Sequence, residues 1–292
     1  MTRRVVVLGD VMLDVIVQPR GDVAPTSDTP ATIRVTRGGS GANLAVALRT
    51  ADHEVIYVGA AGRDAACDVF VDALSEADVT PRLQSFDGAT GTVVSLVAND
   101  GQRAMLTDRG VNPLLEETFV DEQLKAPFDH LHVSGYLLLD AATRTVGAKA
   151  LATARARGAT TSVDVCSVGP LLAVTPGIFL DAAKDASRLF ANEEEALVLS
   201  STSDVDDAMD VLAALFGEVV VTRGQRGALS ALGHERFRVD ALDANVLDTT
   251  GAGDAATGAY LGARLNDATP PEALERAMQA AARVVGGLGA LG

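Results

Sequence analysis

The 292-residue sequence lacks tryptophan, contains few other aromatic residues and has only two cysteines. Cys67 and Cys166 are too few for a disulfide framework, so we expect a protein of the reducing cytoplasm. Cys166 could serve as a nucleophile, although a buried and inert thiol is the interpretation that we favour. No run of about twenty residues is apolar enough to span a bilayer, so we expect no membrane partner.

Positive charge is also scarce, since 24 Lys and Arg residues stand against 39 Asp and Glu residues and the formal net charge is −15. A surface that binds nucleic acid needs clustered Lys and Arg, and no basic run occurs, so we expect no nucleic-acid partner. A content of 48% hydrophobic and 22% charged residues is typical of a globular protein. The length suits one large α/β domain or two small ones.

Alternating strands and helices predict the fold class. Arg4–Leu8 is a run rich in β-branched residues, as expected for a strand that is buried on both faces of a parallel sheet. Glu54–Val58 predicts a second buried strand, followed by a turn at Gly59–Gly62. From about residue 116 onward, predicted helices and strands alternate, which is typical of βαβ units in an α/β protein.

A small second sheet is predicted beside this body. Thr90–Ala98 and Arg103–Thr107 form a hairpin around the turn sequence Asn99-Asp100-Gly101, and Ala31–Thr36 alternates like an exposed strand. A sheet of this kind over the ligand edge is a candidate lid. Its exposed apolar positions could pair with a second copy of the chain, which would give a homodimer through the lid.

Charged residues near the first strand and the lid are candidates for substrate contacts. Asp10 and Asp14 lie just past the carboxyl end of the first strand, where open α/β sheets bind ligands, although turn chemistry is an alternative. Arg103 and Arg109 lie on or beside the lid. Each could contact a charged substrate or simply be a solvated surface residue.

Small residues open a helix after the lid strand, in the sequence Gly38-Gly39-Ser40-Gly41-Ala42-Asn43. Gly39 allows a ligand to approach the backbone closely, and the Asn43 amide both donates and accepts hydrogen bonds. These residues suit a neutral polyhydroxyl ligand better than a phosphate. The alternative is a glycine turn with Asn43 in the first turn of an ordinary helix.

A second glycine-rich stretch, Gly251-Ala252-Gly253-Asp254, leads into a predicted helix near the end of the chain. The first amides of a helix have no partner within it, so together with the helix dipole they attract an anion. A carboxylate is a poor ligand for phosphate, but Asp254 could take a proton from a hydroxyl that attacks the phosphate. The alternative is a glycine-rich turn with Asp254 as an ordinary helix-terminal charge.

Two further segments follow predicted strands. Asn192 to Glu195 could hold Mg²⁺ directly or through water, or could simply cap a helix. Thr222 to Gly227 links two strands, and its glycines could admit a flat ring or a ribose or form a hairpin turn. His130 and His132 share one face of a strand, and we favour packing over a metal site because no third ligand is nearby.

Two familiar nucleotide-binding patterns are excluded. The sequence contains no Gly-x-x-x-x-Gly-Lys-Ser/Thr stretch, so a Walker-type site is absent. Residues 251–256 nearly match the dinucleotide fingerprint, but they lie at the end of the chain and place an acid where a pyrophosphate would bind. We therefore reject a dehydrogenase.

Taken together, the two glycine-rich stretches at Gly38–Asn43 and Asp248–Asp254, in this order and about two hundred residues apart, resemble the ribokinase-like (PfkB-type) family of carbohydrate kinases. The resemblance covers essentially the whole chain. It implies a single three-layer α/β/α domain over residues 1–292, with a mostly parallel central sheet. It also implies a small β-sheet lid built from about residues 11–37 and 88–110.

The resemblance also implies roles for the candidate residues. The catalytic base would be Asp254, with an anion hole of amides at Gly251, Ala252 and Gly253. The substrate would contact Asp14, Gly39 and Asn43. The ATP site would be lined by Thr222, Gly224 and Gly227, while Asn192 and Glu195 would organise Mg²⁺. A monovalent cation such as K⁺, which some members use, would lie at Asp248 and Thr250.

Three functions remain open at this point. The first is an ATP-dependent kinase that phosphorylates a hydroxyl of a sugar or sugar derivative. The second is a nucleoside kinase of the same fold, for which a base-stacking aromatic would be a sign. The third is a non-catalytic sugar-binding or regulatory protein, which would have no use for a base at Asp254.

Overall fold

The computed structural model describes residues 2–97, 103–244 and 250–286. Strands in these ranges are Arg4–Leu8 (β1), Met12–Pro19 (β2), Ala31–Gly38 (β3), Glu54–Gly62 (β4), Val79–Phe86 (β5), Gly91–Val97 (β6), Arg103–Asp108 (β7), His130–Ser134 (β8), Thr160–Asp164 (β9), Arg188–Asn192 (β10), Glu218–Thr222 (β11), Ala228–Leu232 (β12) and Glu235–Val239 (β13). Helices are Ser40–Arg49 (α1), Ala65–Glu76 (α2), Glu117–Gln123 (α3), Gly135–Leu139 (α4), Arg144–Ala156 (α5), Val168–Val174 (α6), Pro176–Ala183 (α7), Glu193–Ser200 (α8), Val205–Leu215 (α9), Ala252–Leu265 (α10) and Pro270–Val285 (α11).

The large sheet has nine strands in the order β13-β12-β11-β10-β9-β8-β1-β4-β5. Neighbours from β11 to β5 run parallel, and β12 and β13 are added antiparallel at one edge. The chain leaves β1 toward β4 and later returns to its other side at β8. Such a reversal of strand order opens a crevice at the carboxyl ends of the strands, and Asp10 follows β1 at this point.

Alternation along β1 builds a hydrophobic core on each face of the sheet. Val6 and Leu8 belong to a buried cluster with helices α3 to α9. Val5 and Val7 point the other way and belong to a second cluster with α1, α2, α10 and α11. Successive side chains of a strand alternate between faces, so a strand covered on both sides must be apolar throughout. The three-layer α/β/α fold with a mostly parallel sheet is confirmed.

A smaller sheet has the order β3-β2-β6-β7. β2 pairs antiparallel with β3 and parallel with β6, and β6 pairs antiparallel with β7. The predicted hairpin strands therefore exist, but the strand at Met12–Pro19, which joins them to β3, was not singled out by the sequence pattern. The predicted turn at Asn99-Asp100-Gly101 lies outside the described residues.

The predicted turn at Gly59–Gly62 is wrong. These residues complete β4 and pair in parallel with the end of β5. A Cβ atom on Gly59 would lie 2.6 Å from the carbonyl oxygen of Gly9. The glycine is thus needed because two backbones approach closely in an extended strand, which local turn propensity cannot distinguish from a turn.

None of the helices in the described ranges is both long and apolar enough to cross a membrane.

Candidate active site

The site lies where the N termini of α1 and α10 meet at the carboxyl edge of the large sheet. Small residues allow the two helices to lie in contact, because a Cβ atom on Gly258 would lie 2.5 Å from the Ala47 Cβ atom. The N terminus of α1 in turn lies over the end of β1, since a Cβ atom on Gly9 would be 3.4 Å from the Gly41 Cα atom. The two glycine-rich stretches of the sequence are therefore brought together.

Asp254 lies in the first turn of α10 and contacts α1 through both carboxylate oxygens. Ser40 donates a hydrogen bond from Oγ to Asp254 Oδ1 at 2.7 Å, and Asn43 donates from Nδ2 to Oδ2 at 2.9 Å. Burial raises the pKa of Asp254, while these hydrogen bonds and the charge of Arg37 oppose the rise. Sequence reasoning missed Ser40, although it lies inside the quoted stretch.

Gly251 and Gly253 shape the start of α10. Gly251 adopts φ 75°, in the left-handed region that glycine favours, and caps the helix. Ala255 N–H donates to the Gly251 carbonyl at 2.8 Å, so the amides at 252–254 precede the first bond of the helix. Within the described residues, a Cβ atom on Gly253 would meet no atom within 4 Å. The described part of the chain therefore leaves room for an anion beside this helix start.

Arg37 and Asn43 extend the contacts of Asp254 away from α10. Arg37 is only 2% exposed and donates from Nη1 to Asn43 Oδ1 at 2.5 Å. The Asn43 side chain, expected to bind sugar hydroxyls, is thus held between Arg37 and Asp254. Sequence reasoning missed Arg37, because nothing in the alternating pattern of an exposed strand indicates that one of its arginines is buried.

The Asp14 carboxylate lies against Gly38, the last residue of β3. A Cβ atom on Gly38 would lie 2.0 Å from Asp14 Oδ1, so a larger residue here would displace this carboxylate. Burial and the nearby charge of Asp254 raise the pKa of Asp14 to about 6, against the influence of Arg37. Gly39 has φ 90°, and a Cβ atom there would lie 2.7 Å from the Asp10 carbonyl oxygen.

Arg109 is neutralised within the protein. Its Nε and Nη2 atoms donate to the Asp10 carboxylate at distances of 2.7 to 3.0 Å, and its Nη1 atom pairs with Asp140. Asp140 follows α4 and was missed by sequence reasoning, which found this region apolar. Arg109 therefore supports Asp10 directly, and its charge already faces two carboxylates.

Two more buried carboxylates lie near Asp254. Asp164 ends β9, and Glu195 lies in the first turn of α8. Burial, the charge of Glu195 and that of Asp254 raise the pKa of Asp164, and burial is the main cause that raises the pKa of Glu195 to about 7. Asp164 was missed, although its place at the end of a parallel strand is the same signal that identified Asp10.

Asn192 and Glu195 form the capping box of α8. Asn192 accepts at Oδ1 from the Glu195 amide at 2.9 Å, and Glu195 accepts at Oε2 from the Asn192 amide at 2.8 Å. The capping alternative from the sequence is thus realised, with Asn192 exposed and Glu195 buried. One oxygen of Glu195 remains outside this reciprocal pair.

The turn after β11 lies beside this capping box. Thr222 pairs with Asn192 in neighbouring strands, and Glu193 forms ion pairs with both Arg223 and Arg226. Gly224 is exposed at φ 56°, whereas Gly227 is buried at φ 81°, both in the region that favours glycine. The expected nucleotide residues therefore lie side by side at one edge.

A cavity of 410 Å³ lies between residues 242–244 and the last turns of α11. Its lining includes Arg283 and Asp243.

Two expected site residues fall at the limits of the described structure. Asp248 lies outside the described residues, so nothing places it relative to Thr250, which is partly buried just before α10. Arg103 begins β7, but its side chain is not among the described parts of the structure.

His130 and His132 are interior residues. Their ring nitrogens contact the Ser162 hydroxyl at 2.8 and 2.9 Å, and burial lowers the pKa of His132 to about 3. In the described ranges, no cluster of three or more His, Cys, Asp or Glu side chains has the arrangement of a metal site.

The sequence matches the family model of the pfkB family carbohydrate kinases over residues 2–291. The chain belongs to this family. An ATP-dependent ribose-1-phosphate kinase of Halopiger xanaduensis is 31% identical over 98% of this chain and 93% of its own length.

Solved structures share the fold of this pfkB family member. An adenosine kinase of Sinorhizobium meliloti, 24% identical, matches 99% of this chain and 96% of its own with a TM-score of 0.89. A protein of E. coli described as ribokinase II, in complex with ATP and Mg²⁺, is 22% identical and matches 100% of this chain and 95% of its own with a TM-score of 0.87. Identities this low establish the common fold alone.

Proposed function

We propose that this protein is an ATP-dependent kinase that transfers the γ-phosphate to a hydroxyl of a sugar or sugar derivative. The observation that carries the proposal is the position of Asp254. Its carboxylate is held by Ser40 and Asn43 beside the amides at 252–254, which precede the first hydrogen bond within α10. A protein that only binds sugar needs no base next to an anion hole. Family membership and the ribose-1-phosphate kinase relative support the same activity.

Asp254 acts as the general base in this proposal. It accepts the proton of the attacking hydroxyl, and a base in this position contributes about 10²–10⁴ in rate. The amides at Gly251, Ala252 and Gly253 stabilise the charge on the transferred phosphoryl group, with about 10²–10³ from each donor. Both effects depend on positioning, which the contact between α1 and α10 supplies.

The acceptor side is built from Asp10, Asp14, Gly39 and Asn43. A carboxyl with a pKa of about 6 can accept or donate a hydrogen bond to a sugar hydroxyl near neutral pH, which suits Asp14 for this role. Arg109 holds Asp10 in place. A contact between Arg103 and a charged substituent of the substrate remains part of the proposal.

The nucleotide side is built from Asn192, Thr222, Gly224 and Gly227. We place the ATP phosphates between this edge and the start of α10. The adenine then reaches toward the cavity of 410 Å³ beside α11.

Mg²⁺ fits the carboxylate pair of Asp164 and Glu195. Both carboxylates are buried, and burial together with the charge of Glu195 raises the pKa of Asp164, so a hard cation that prefers oxygen ligands would suit this pair. Asn192 lies next to them. Bound Mg²⁺ would neutralise phosphate charge and orient ATP. A K⁺ ion near Thr250 and Asp248 is proposed on the resemblance alone.

A homodimer through the smaller sheet, acting as a lid, is also proposed. Val35 and Leu106 are 54% and 60% exposed and lie in one cross-strand row with Val15 and Val94. An exposed apolar row of this kind favours association.

The unpaired thiols of Cys67 and Cys166 agree with the expected cytoplasmic location.

Replacing Asp254 by Asn tests the function directly. ATP turnover is followed in a coupled assay over neutral sugars, sugar phosphates, sugar acids and nucleosides, which also separates the sugar kinase from the nucleoside kinase. We expect Asp254→Asn to lower kcat on the best acceptor by about 10²–10⁴ and to leave the protein folded, with a cooperative thermal unfolding transition.

The matched control is Asp206→Asn, which removes an exposed acid from the first turn of α9. It should keep full turnover. Near-complete activity of Asp254→Asn, or the absence of ATP turnover by the wild type with every acceptor class, would contradict the proposal.

A further inference from the structure

The position of Arg37 is not explained by any role assigned so far. It lies near the end of β3, whose neighbouring residues Ile33 to Val35 are exposed, yet its own side chain is only 2% exposed. Burial of a guanidinium is costly unless the charge is paired and hydrogen-bonded. A solvent-facing position was available on the same strand, so the contacts of Arg37 must account for its burial.

Arg37 determines which atom of Asn43 faces the base. Its Nη1 atom donates to Asn43 Oδ1 at 2.5 Å, and Asn43 donates from Nδ2 to Asp254 Oδ2 at 2.9 Å. A guanidinium has only donors and a carboxylate only acceptors. One orientation of the Asn43 amide satisfies both neighbours, and rotation of the amide by 180° would break both bonds.

The charges around Asp254 are mostly negative. Titratable and polar groups face it from every neighbouring element: Asp14 (β2), Arg37 (β3), Ser40 and Asn43 (α1), Tyr57 (β4), Tyr136 (α4), Asp164 and Cys166 (at and after the end of β9), and Glu195 (α8). Three of these are carboxyl groups, which oppose ionisation of Asp254. Arg37 is a cation that favours ionisation of both Asp14 and Asp254.

We propose that Arg37 is a positioning residue for phosphoryl transfer, which fixes the Asn43 amide and through it the Asp254 carboxylate, and supplies the positive charge that keeps this base ionised. The inference rests on the proposed function of Asp254 as the base. It adds a residue of β3 to the machinery, and this residue acts through Asn43.

The pH dependence of turnover separates this role from a merely structural one. In Arg37→Met, the acid limb of the kcat/KM profile should move up by about one pH unit, because a nearby opposite charge lowers the pKa of a carboxyl by about 1–3 units. At pH values below that limb, Arg37→Met should lower kcat/KM relative to the wild type about tenfold more than it does at high pH. Arg37→Lys keeps the charge, so its acid limb should stay close to that of the wild type.

The control is Arg34→Met, which removes an exposed arginine from the same strand and should leave the profile unchanged. An Arg37→Met enzyme that folds and retains the wild-type acid limb would overturn the inference.

A double-mutant cycle provides a second test that uses milder changes. If Arg37 acts through Asn43, then Arg37→Lys should reduce kcat in the enzyme that retains Asn43. In the Asn43→Ala enzyme, the same substitution should have little further effect on kcat. Independent, multiplying effects of the two substitutions would contradict the proposal. This comparison stays informative if Arg37→Met does not fold.

A third measurement does not need turnover. The difference in Tm between the wild type and Asp254→Asn, followed against pH, reports the pKa of Asp254. In Arg37→Lys this curve should keep its midpoint, and in Arg37→Met the midpoint should move upward. If Asp254→Asn abolishes turnover while the Arg37 variants behave like the wild type in all three tests, the inference fails and the proposed function stands.

Discussion

Contact between α1 and α10 at Gly258 is the feature most open to a decisive mutation. A Cβ atom added there would lie 2.5 Å from the Ala47 Cβ atom and 2.8 Å from the Leu44 carbonyl oxygen. Carbon atoms in contact are separated by about 3.5–4.0 Å. Gly258→Ala must therefore move α10 away from α1 by about 1 Å, and both neighbours are too short and stiff to give way by rotating.

The displacement should affect the site more than the fold. Asp254 lies one turn earlier on α10, and its partners Ser40 and Asn43 lie on α1, so the two hydrogen bonds at 2.7 and 2.9 Å would lengthen together. A misplacement of about 1 Å can cost about 10²-fold in rate. Overpacking of this kind costs about 1–3 kcal/mol in free energy of unfolding.

The assay is steady-state ATP turnover with the best acceptor, together with urea unfolding. The control is Gly177→Ala in α7, where an added Cβ atom meets no atom of the described residues within 4 Å, and where both turnover and stability should be kept. If Gly258→Ala retained wild-type kcat and unfolding free energy, the idea that close contact of these helices positions Asp254 would be refuted.

Two further predictions concern pH and charge. His132 has a pKa of about 3 in the folded state and about 6.5 in the unfolded state. Between these two pH values the unfolded state binds more protons, so the folded state loses stability as the pH falls below 6.5. Urea unfolding at pH 7 and pH 5 should show the wild type losing about 2 kcal/mol more than His132→Gln, and equal losses would contradict this. Arg109→Gln leaves Asp10 and Asp140 to repel each other. It should raise the KM for the acceptor and leave the KM for ATP unchanged. It should also lower the free energy of unfolding by about 2 kcal/mol, which is less than the loss expected for a fully buried ion pair. An unchanged acceptor KM would argue against a role for Asp10.

Local patterns in the sequence were enough to predict much of the fold and to single out the residue that the proposed function uses as its base. The apolar run of β1 predicts a strand covered on both faces, because each side chain needs an apolar neighbour. Glycines before Asp254 predict a helix start with bare amides, because this geometry involves only adjacent residues. Asp10 and Asp14 are candidates because they come just after β1, and open α/β sheets bind ligands at the carboxyl ends of their strands.

Other features depended on contacts between distant segments. The turn predicted at Gly59–Gly62 is a strand because of the close approach of Gly9, which lies fifty residues earlier. Asp140 and Asp164 acquire their significance from Arg109 and Glu195, to which no spacing in the sequence connects them.

The sequence by itself thus determined an α/β body with a lone carboxylate at a glycine-rich helix start. Only the tertiary structure decided what surrounds that carboxylate. The hydrogen bonds from Ser40 and Asn43 span 214 and 211 positions of the chain, and the burial of Arg37 depends on how β3 meets α1. Local composition sets which conformations a segment prefers, whereas the partners and the charge state of a buried side chain depend on atoms that only folding brings within reach.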